Sequence, residues 1–120
     1  MPAITTLYGV PNCDTVKRAR QWLTANGVEY RFHDFKHQGV PAAPLARWLA
    51  SAGRDRLVNR QGTTWRKLDE AVRARVVDDA SATRLMQDQP SVIKRPVVEW
   101  ADGRLTVGFD EAAWRLASKA

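Results

Sequence analysis

The feature that most narrows the fold is the short distance over which the chain changes from a strand pattern to a helix pattern and back. Ala3-Ile4-Thr5-Thr6-Leu7-Tyr8 is apolar and β-branched and stops at Gly9 and Pro11, as a short buried strand running into a loop would. After Asn12-Cys13-Asp14-Thr15, apolar residues recur at Val16, Ala19, Trp22 and Leu23, with Lys17, Arg18 and Arg20 on the other side, until Asn26-Gly27 gives a helix stop. Val28, Tyr30 and Phe32 then alternate with Glu29, Arg31 and His33, the period-two pattern of a second strand. A β-α-β opening of this length joins two parallel strands by a right-handed crossover, and the loop after the first strand lies at the carboxyl edge of the sheet, where α/β proteins place their sites. Cys13 falls in that loop.

The rest of the chain completes a single α/β domain. Pro41 and Pro44 open a helical segment with Leu45, Trp48, Leu49 and Ala52 on one face, followed by Gly53. Past the polar turn Asn59-Arg60-Gln61-Gly62, Thr63 or Thr64 is expected to cap a short helix that turns Trp65, Leu68 and Val72 inward. Asp79 begins a further helix carrying Leu85 and Met86 and ending before Pro90. Pro96-Val97-Val98-Glu99-Trp100 and Arg104-Leu105-Thr106-Val107 flank Ala101-Asp102-Gly103, a hairpin signal that makes these strands antiparallel neighbours. Asp110 can cap a last helix, with Phe109 and Trp114 at the spacing of a hydrophobic staple. The order is β-α-β, helical insert, β-β-α.

Composition excludes several classes of function. With 120 residues, 44% of them hydrophobic and 27% charged, the chain can bury an ordinary core and is neither disordered nor fibrous. No apolar run approaches the length of a membrane span, and Met1-Pro2-Ala3-Ile4-Thr5-Thr6 carries neither a basic leader nor a long apolar stretch, so a cytoplasmic protein without a membrane partner is expected. Lys and Arg outnumber Asp and Glu by 19 to 13, a net charge of +6 that favours anionic partners. The basic residues mostly alternate with acids, as in Arg54-Asp55-Arg56, so no stripe for direct nucleic-acid binding stands out. One cysteine and two histidines, His33 and His37, leave no intramolecular disulfide and argue against a metal site; no bound cofactor is expected.

The one cysteine therefore carries the functional question. A free thiol, with a pKa of about 8.5, is mostly protonated at neutral pH, and only the thiolate is nucleophilic. Cys13 sits just ahead of the first helix, where unpaired N–H groups and the helix dipole favour negative charge, with Lys17 and Arg18 within a turn. The alternative is that Asp14 or Thr15 caps the helix and Cys13 is a small core residue. His33 and His37 sit where a base could act, but activation at a helix end needs none.

At these residues the sequence resembles a known family. Tyr8 through Ala19, Leu57-Val58-Asn59-Arg60, Ile93-Lys94-Arg95-Pro96-Val97-Val98 and Val107-Gly108-Phe109-Asp110-Glu111 resemble the ArsC-type arsenate reductases, and within them the YffB branch related to the Spx regulators. The resemblance implies a thioredoxin-like (glutaredoxin-like) fold, with the thioredoxin-like part at about 1–38 and 91–120 and a helical insertion at about 39–90. Together with the element order, it predicts a four-stranded mixed sheet with the hairpin beside the first strand. It implies Cys13 as nucleophile, Arg60 and Arg95 as anion-binding arginines with Asn12 beside them, Lys17 in support, and Pro96 as a cis-proline before a strand. The place of a third family arginine falls at Val107-Gly108. The implied chemistry draws electrons from glutathione or glutaredoxin as a co-substrate, on an anionic or disulfide substrate. A glutathione-linked thiol–disulfide oxidoreductase is the leading expectation and arsenate reduction the second. A Spx-like regulator binding RNA polymerase is the third; there Val16 stands where a Cys-x-x-Cys switch would need its second cysteine.

Overall fold

A computed structural model of the chain describes residues 4–118; Ala3, the expected start of the first strand, lies outside them. The elements are β1 (Thr5–Gly9), α1 (Asp14–Ala25), β2 (Tyr30–Asp34), α2 (Phe35–Gln38), α3 (Ala42–Ala52), α4 (Arg54–Leu57), α5 (Thr63–Lys67), α6 (Glu70–Ala74), α7 (Asp79–Asp88), a single 3-10 turn (Pro90–Val92), β3 (Val97–Glu99), β4 (Leu105–Val107) and α8 (Glu111–Ser118). They divide into two compact units, Met1–Gln38 with Arg95–Ala120, and Gly39–Lys94.

The first unit is built on a four-stranded mixed sheet in the order β2-β1-β3-β4. Strand β1 runs parallel to β2, with Leu7 opposite Phe32 and Gly9 opposite Asp34, and antiparallel to β3, with Tyr8 opposite Val97. The pleat sends Leu7 and Val98 to one face, and there they bury against Val16, Ala19 and Leu23 of α1 and Trp114 and Ala117 of α8. Tyr8 points the other way, where its hydroxyl donates to Glu99 Oε1 at 2.7 Å and its ring meets His33 and Phe35. The apolar positions that the helical period picks out in α1, and the alternating Val28, Tyr30 and Phe32 at the second strand, thus face this core or its margin.

Local chemistry sets the boundaries. Helix α1 ends at Asn26, whose side chain donates to the Trp22 carbonyl, and Gly27 follows with φ 69°, a left-handed conformation that glycine adopts without strain. The β3–β4 turn closes through Gly103, φ 95°, whose N–H donates to the Trp100 carbonyl. At the start of α8 Asp110 Oδ1 accepts from the N–H groups of Ala112 and Ala113, and the Phe109 and Trp114 rings meet edge to face at 4.7 Å, the expected cap and staple.

The second unit is helical. It buries Leu45, Trp48 and Leu49 of α3 and Ala82, Leu85 and Met86 of α7. Helix α7 begins with a capping box in which Asp78 accepts from the Ser81 N–H and the Ser81 hydroxyl reaches back to the Asp78 N–H. The unit runs on to Lys94 because Val58 pairs with Ile93 and the Lys94 N–H donates to the Leu57 carbonyl at 2.7 Å. One expectation is corrected here. The cap of α5 is Gly62, not Thr63 or Thr64, and the helix expected to carry Trp65, Leu68 and Val72 together breaks at Leu68, which is extended, before resuming as α6. The reason is local: a Cβ at position 62 would lie 2.9 Å from the Asn59 side chain, so the tight turn after Asn59 places glycine at the cap. Among the described residues no helix is long and apolar enough to cross a membrane.

Candidate active site around Cys13

The loop from Val10 to Cys13 leaves the carboxyl end of β1 and delivers Cys13 as the N-cap residue of α1, with φ −108° and ψ 125°. Asp14 and Thr15 are already inside the helix, so neither is its cap. Cap positions favour Ser, Thr, Asp or Asn, whose oxygen binds the first-turn N–H groups; cysteine is a poor cap and its side chain makes no such bond here. The chain thus places a sulfur where a negatively charged atom is stabilised by the helix start. The residue is half-buried, resting against the core formed by α1, α8 and the sheet. Its carbonyl accepts from the Lys17 N–H at 2.9 Å, which sets the exposed Lys17 one turn along the same side of the helix.

A second cation reaches the loop from a segment the sequence did not single out. Lys36 Nζ donates to Asn12 Oδ1 at 3.3 Å, bridging from α2 to the residue before the cysteine. Asp34, the last residue of β2, holds that lysine in place. Its Oδ1 accepts from the Lys36 N–H at 2.9 Å, its Oδ2 lies 2.6 Å from His37 Nδ1, and its own N–H donates to Gln38 Oε1. Burial alone would push the Asp34 carboxyl up, but the hydrogen bonds from His37 and the Lys36 N–H, with the His37 charge, hold it below the ordinary carboxylate range. Because Gly9 pairs with Asp34, this cluster sits at the end of β1 from which the cysteine loop departs. With its oxygen taken by Lys36, Asn12 keeps its amide N–H groups for an acceptor from outside.

The third component comes from the start of β3. The Arg95–Pro96 bond is cis, and the register that sets Tyr8 against Val97 carries the buried Pro96 to the level of Gly9. The Pro96 carbonyl accepts from the Gly108 N–H at 2.8 Å. Gly108 has φ 87°, a conformation that disfavours any side chain, so the segment resembling the third arginine position performs a backbone task instead. Arg95 is half-buried beside Pro96. Arg60 belongs to the Gly39–Lys94 unit, where it is exposed, 3.3 Å from Asp55 Oδ1, with its guanidinium 5.4 Å over the Trp65 ring. His33 packs against Tyr8 and Phe35, and His37 is engaged by Asp34. Among the described residues no group of three or more His, Cys, Asp or Glu is arranged to hold a metal ion.

The arrangement is a half-exposed sulfur at a helix start, Lys17 one turn along the helix, Lys36 bonded to the preceding Asn12, and a cis-proline at the neighbouring strand. A solved YffB protein is 50% identical to this chain, covers 94% of it and 97% of its own length, and superposes with a TM-score of 0.88. The arsenate reductase (ArsC) related protein from Brucella melitensis is 48% identical, with coverage of 100% and 98% and a TM-score of 0.73. An uncharacterized protein of Haemophilus influenzae is 38% identical over 112 residues, 93% of this chain and 96% of that one. The global transcriptional regulator Spx of Staphylococcus epidermidis is 24% identical over 110 residues, 90% and 82% of the two chains. The mixed sheet with its helices is thioredoxin-like, and the ArsC family model matches residues 8–117, so the chain belongs to the ArsC family.

Proposed function

We propose that the protein is a thiol–disulfide oxidoreductase that uses Cys13 as its only nucleophile and glutathione as its reductant. The observation that carries this reading is Cys13 as the N-cap of α1, half-exposed, at the strand end that Pro96 adjoins. The Cys13 thiolate attacks one sulfur of a substrate disulfide, forming a mixed disulfide and releasing the other sulfur as a thiolate. With Cys13 the one cysteine in the chain, resolution falls to an external thiol. A glutathione thiolate attacks the substrate sulfur of the mixed disulfide, frees Cys13 as a thiolate and forms a glutathione–substrate disulfide; a second glutathione thiolate releases the substrate thiolate and completes oxidised glutathione. Lys17, Lys36 and the Asn12 amide offer charge and donors to the carboxylates of glutathione or of an anionic substrate, and Arg95 adds a planar fork. Arg60 is assigned to the same anion-binding role on the family resemblance.

Arsenate reduction is the second reading, favoured by the likeness to the arsenate reductase-related Brucella protein. The glycine at position 108 counts against strong oxyanion binding by three guanidinium groups. One experiment tests both. Incubation with oxidised glutathione gives the adduct mass, incubation with a second small disulfide plus reduced glutathione gives disulfide turnover, and separate incubation with arsenate plus glutathione gives arsenite release. A single glutathione adduct, lost in Cys13→Ser, with disulfide turnover is expected; arsenite release exceeding disulfide turnover would favour the second reading, and neither adduct nor turnover would refute both.

A further inference from the structure

A groove of about 510 Å³ runs along α1, lined by Lys17, Arg20, Gln21, Thr24, Ala25 and Tyr30. Lys17, Arg20, Gln21 and Thr24 follow the spacing of one helix face, and Cys13, four positions before Lys17, lies on the same stripe. The groove therefore begins one turn past the sulfur and leads away from it. Its lining holds two cations and no carboxylate. Arg20 is fixed rather than mobile: Nε donates to the Tyr30 hydroxyl at 3.0 Å and the guanidinium lies 4.2 Å over the Phe32 ring. Its two terminal nitrogens have no acceptor among the described residues, so a preset fork faces an incoming anion at low entropic cost.

We propose that this groove binds the acidic flank of a cysteine-bearing peptide segment, so that the substrate is a peptide or protein disulfide with carboxylates a few residues from its sulfur. The inference rests on the oxidoreductase reading for the sulfur chemistry and goes beyond it in the substrate class. Length favours a peptide over glutathione. Thr24 is eleven positions along from Cys13, about 16 Å at the rise of a helix. An extended tripeptide spans about 10 Å, whereas about five extended residues reach the far end of the groove.

The test compares glutathionylated peptides carrying Glu three to five residues from the cysteine with Lys-substituted and neutral versions, and with a small uncharged disulfide. The wild type is expected to favour the acidic peptide, with a preference that shrinks as salt rises. Thr24→Glu, an exposed change far from the sulfur, is expected to lower kcat/KM for the acidic peptide about three- to fivefold, with Thr24→Lys raising it, while the uncharged disulfide is unaffected. Arg20→Gln is expected to cost about tenfold on the acidic peptide. Equal treatment of acidic and basic peptides, or Thr24 variants that change nothing or change every substrate alike, would overturn the proposal. A Thr24→Glu effect on the KM for glutathione itself would assign the groove to the reductant and overturn it too. If the protein reduces no disulfide, the oxidoreductase reading fails, and the groove is judged separately by NMR on Cys13→Ser titrated with the acidic peptide. Shifts at Lys17, Arg20 and Thr24 amides would sustain it; none, or displacement of the peptide by a single-stranded oligonucleotide at equal concentration, would overturn it.

Discussion

Replacing Gly9 by alanine tests whether the seat of the cysteine is set by packing beneath it. Gly9 ends β1 and its φ is not left-handed, so alanine meets no backbone obstacle; the obstacle is Val16. A Cβ on residue 9 would lie 2.9 Å from Val16 Cγ2 and 3.5 Å from Cγ1, where carbon atoms prefer about 3.5–4.0 Å. Val16 is fully buried, and a β-branched residue in a helix keeps largely to one χ1, so it has little freedom to swing aside. The first turn of α1 must shift by several tenths of an ångström, and Cys13, three residues earlier, moves with it. Overpacking of this kind costs about 1–3 kcal/mol. Val16→Ala alone should cost about 2 kcal/mol, from two lost methyl groups and the remaining cavity. In the double variant the new methyl enters space the valine vacated, so the total should fall short of the sum by about 1 kcal/mol or more. Urea unfolding followed by tryptophan fluorescence gives the three energies, and the rate of iodoacetamide reaction at Cys13 gives the displacement. Strict additivity, or a neutral Gly9→Ala with wild-type alkylation, would show that the helix start does not rest on this contact.

Four further outcomes follow from the site and the caps. Arg95→Ala should lower glutathione-dependent turnover about ten- to a hundredfold, since a charge-assisted bond contributes about 1.5–3 kcal/mol, and Arg95→Lys should restore only part of it for want of the fork; steady-state assays against Cys13→Ser measure this. Lys36→Ala, which removes a cation and the bond that orients the Asn12 side chain, should raise KM for an anionic substrate more than it lowers kcat, and Lys36→Arg should recover most of the effect. Asp78 is held below the ordinary carboxylate range by the Ser81 N–H and hydroxyl; the cap's stabilisation is therefore full above that range and lost as pH falls through it, and Asp78→Ala should flatten the acid limb of a thermal-melt pH series. Phe109→Ala should destabilise the chain by about 3 kcal/mol, somewhat relieved by partial exposure, and the loss should be visible in calorimetry without altering the alkylation of Cys13.

What could be read from sequence was whatever depends on near neighbours in the chain. The α1 face, the Asp102-Gly103 turn and the Phe109–Trp114 staple are encoded at spacings of two to five residues, and each forms as its local pattern directs. The Lys36–Asn12 bond joins residues 24 positions apart, and no periodicity announces it; the only local sign is Asp34, a residue type that caps the short helix carrying the lysine. The break at Leu68 was hidden for a different reason. Trp65, Leu68 and Val72 fit one helical stripe, but the glycine turn at Gly62 fixes where α5 starts and the stripe resumes only in a new helix after Asp69. The cis bond before Pro96 was expected through family resemblance, since composition gives no local signal for it.

The sheet order also sets a sequence of assembly. Strand β1 has one partner close at hand, β2, delivered by a single helix, and one distant partner, β3, so that the Tyr8–Glu99 bond joins residues 91 positions apart. The entropy of closing a loop grows only logarithmically, about 0.6 kcal/mol per doubling, yet it must be met before the contact returns anything. The β-α-β opening can therefore form early, with Cys13 already at its helix end, while Pro96 arrives beside Gly9 only when the long loop closes. A nascent or partly unfolded chain accordingly presents Cys13 at its helix end before the neighbouring strand is in place, and the cleft beside the sulfur is completed last, with the final pairing of β3.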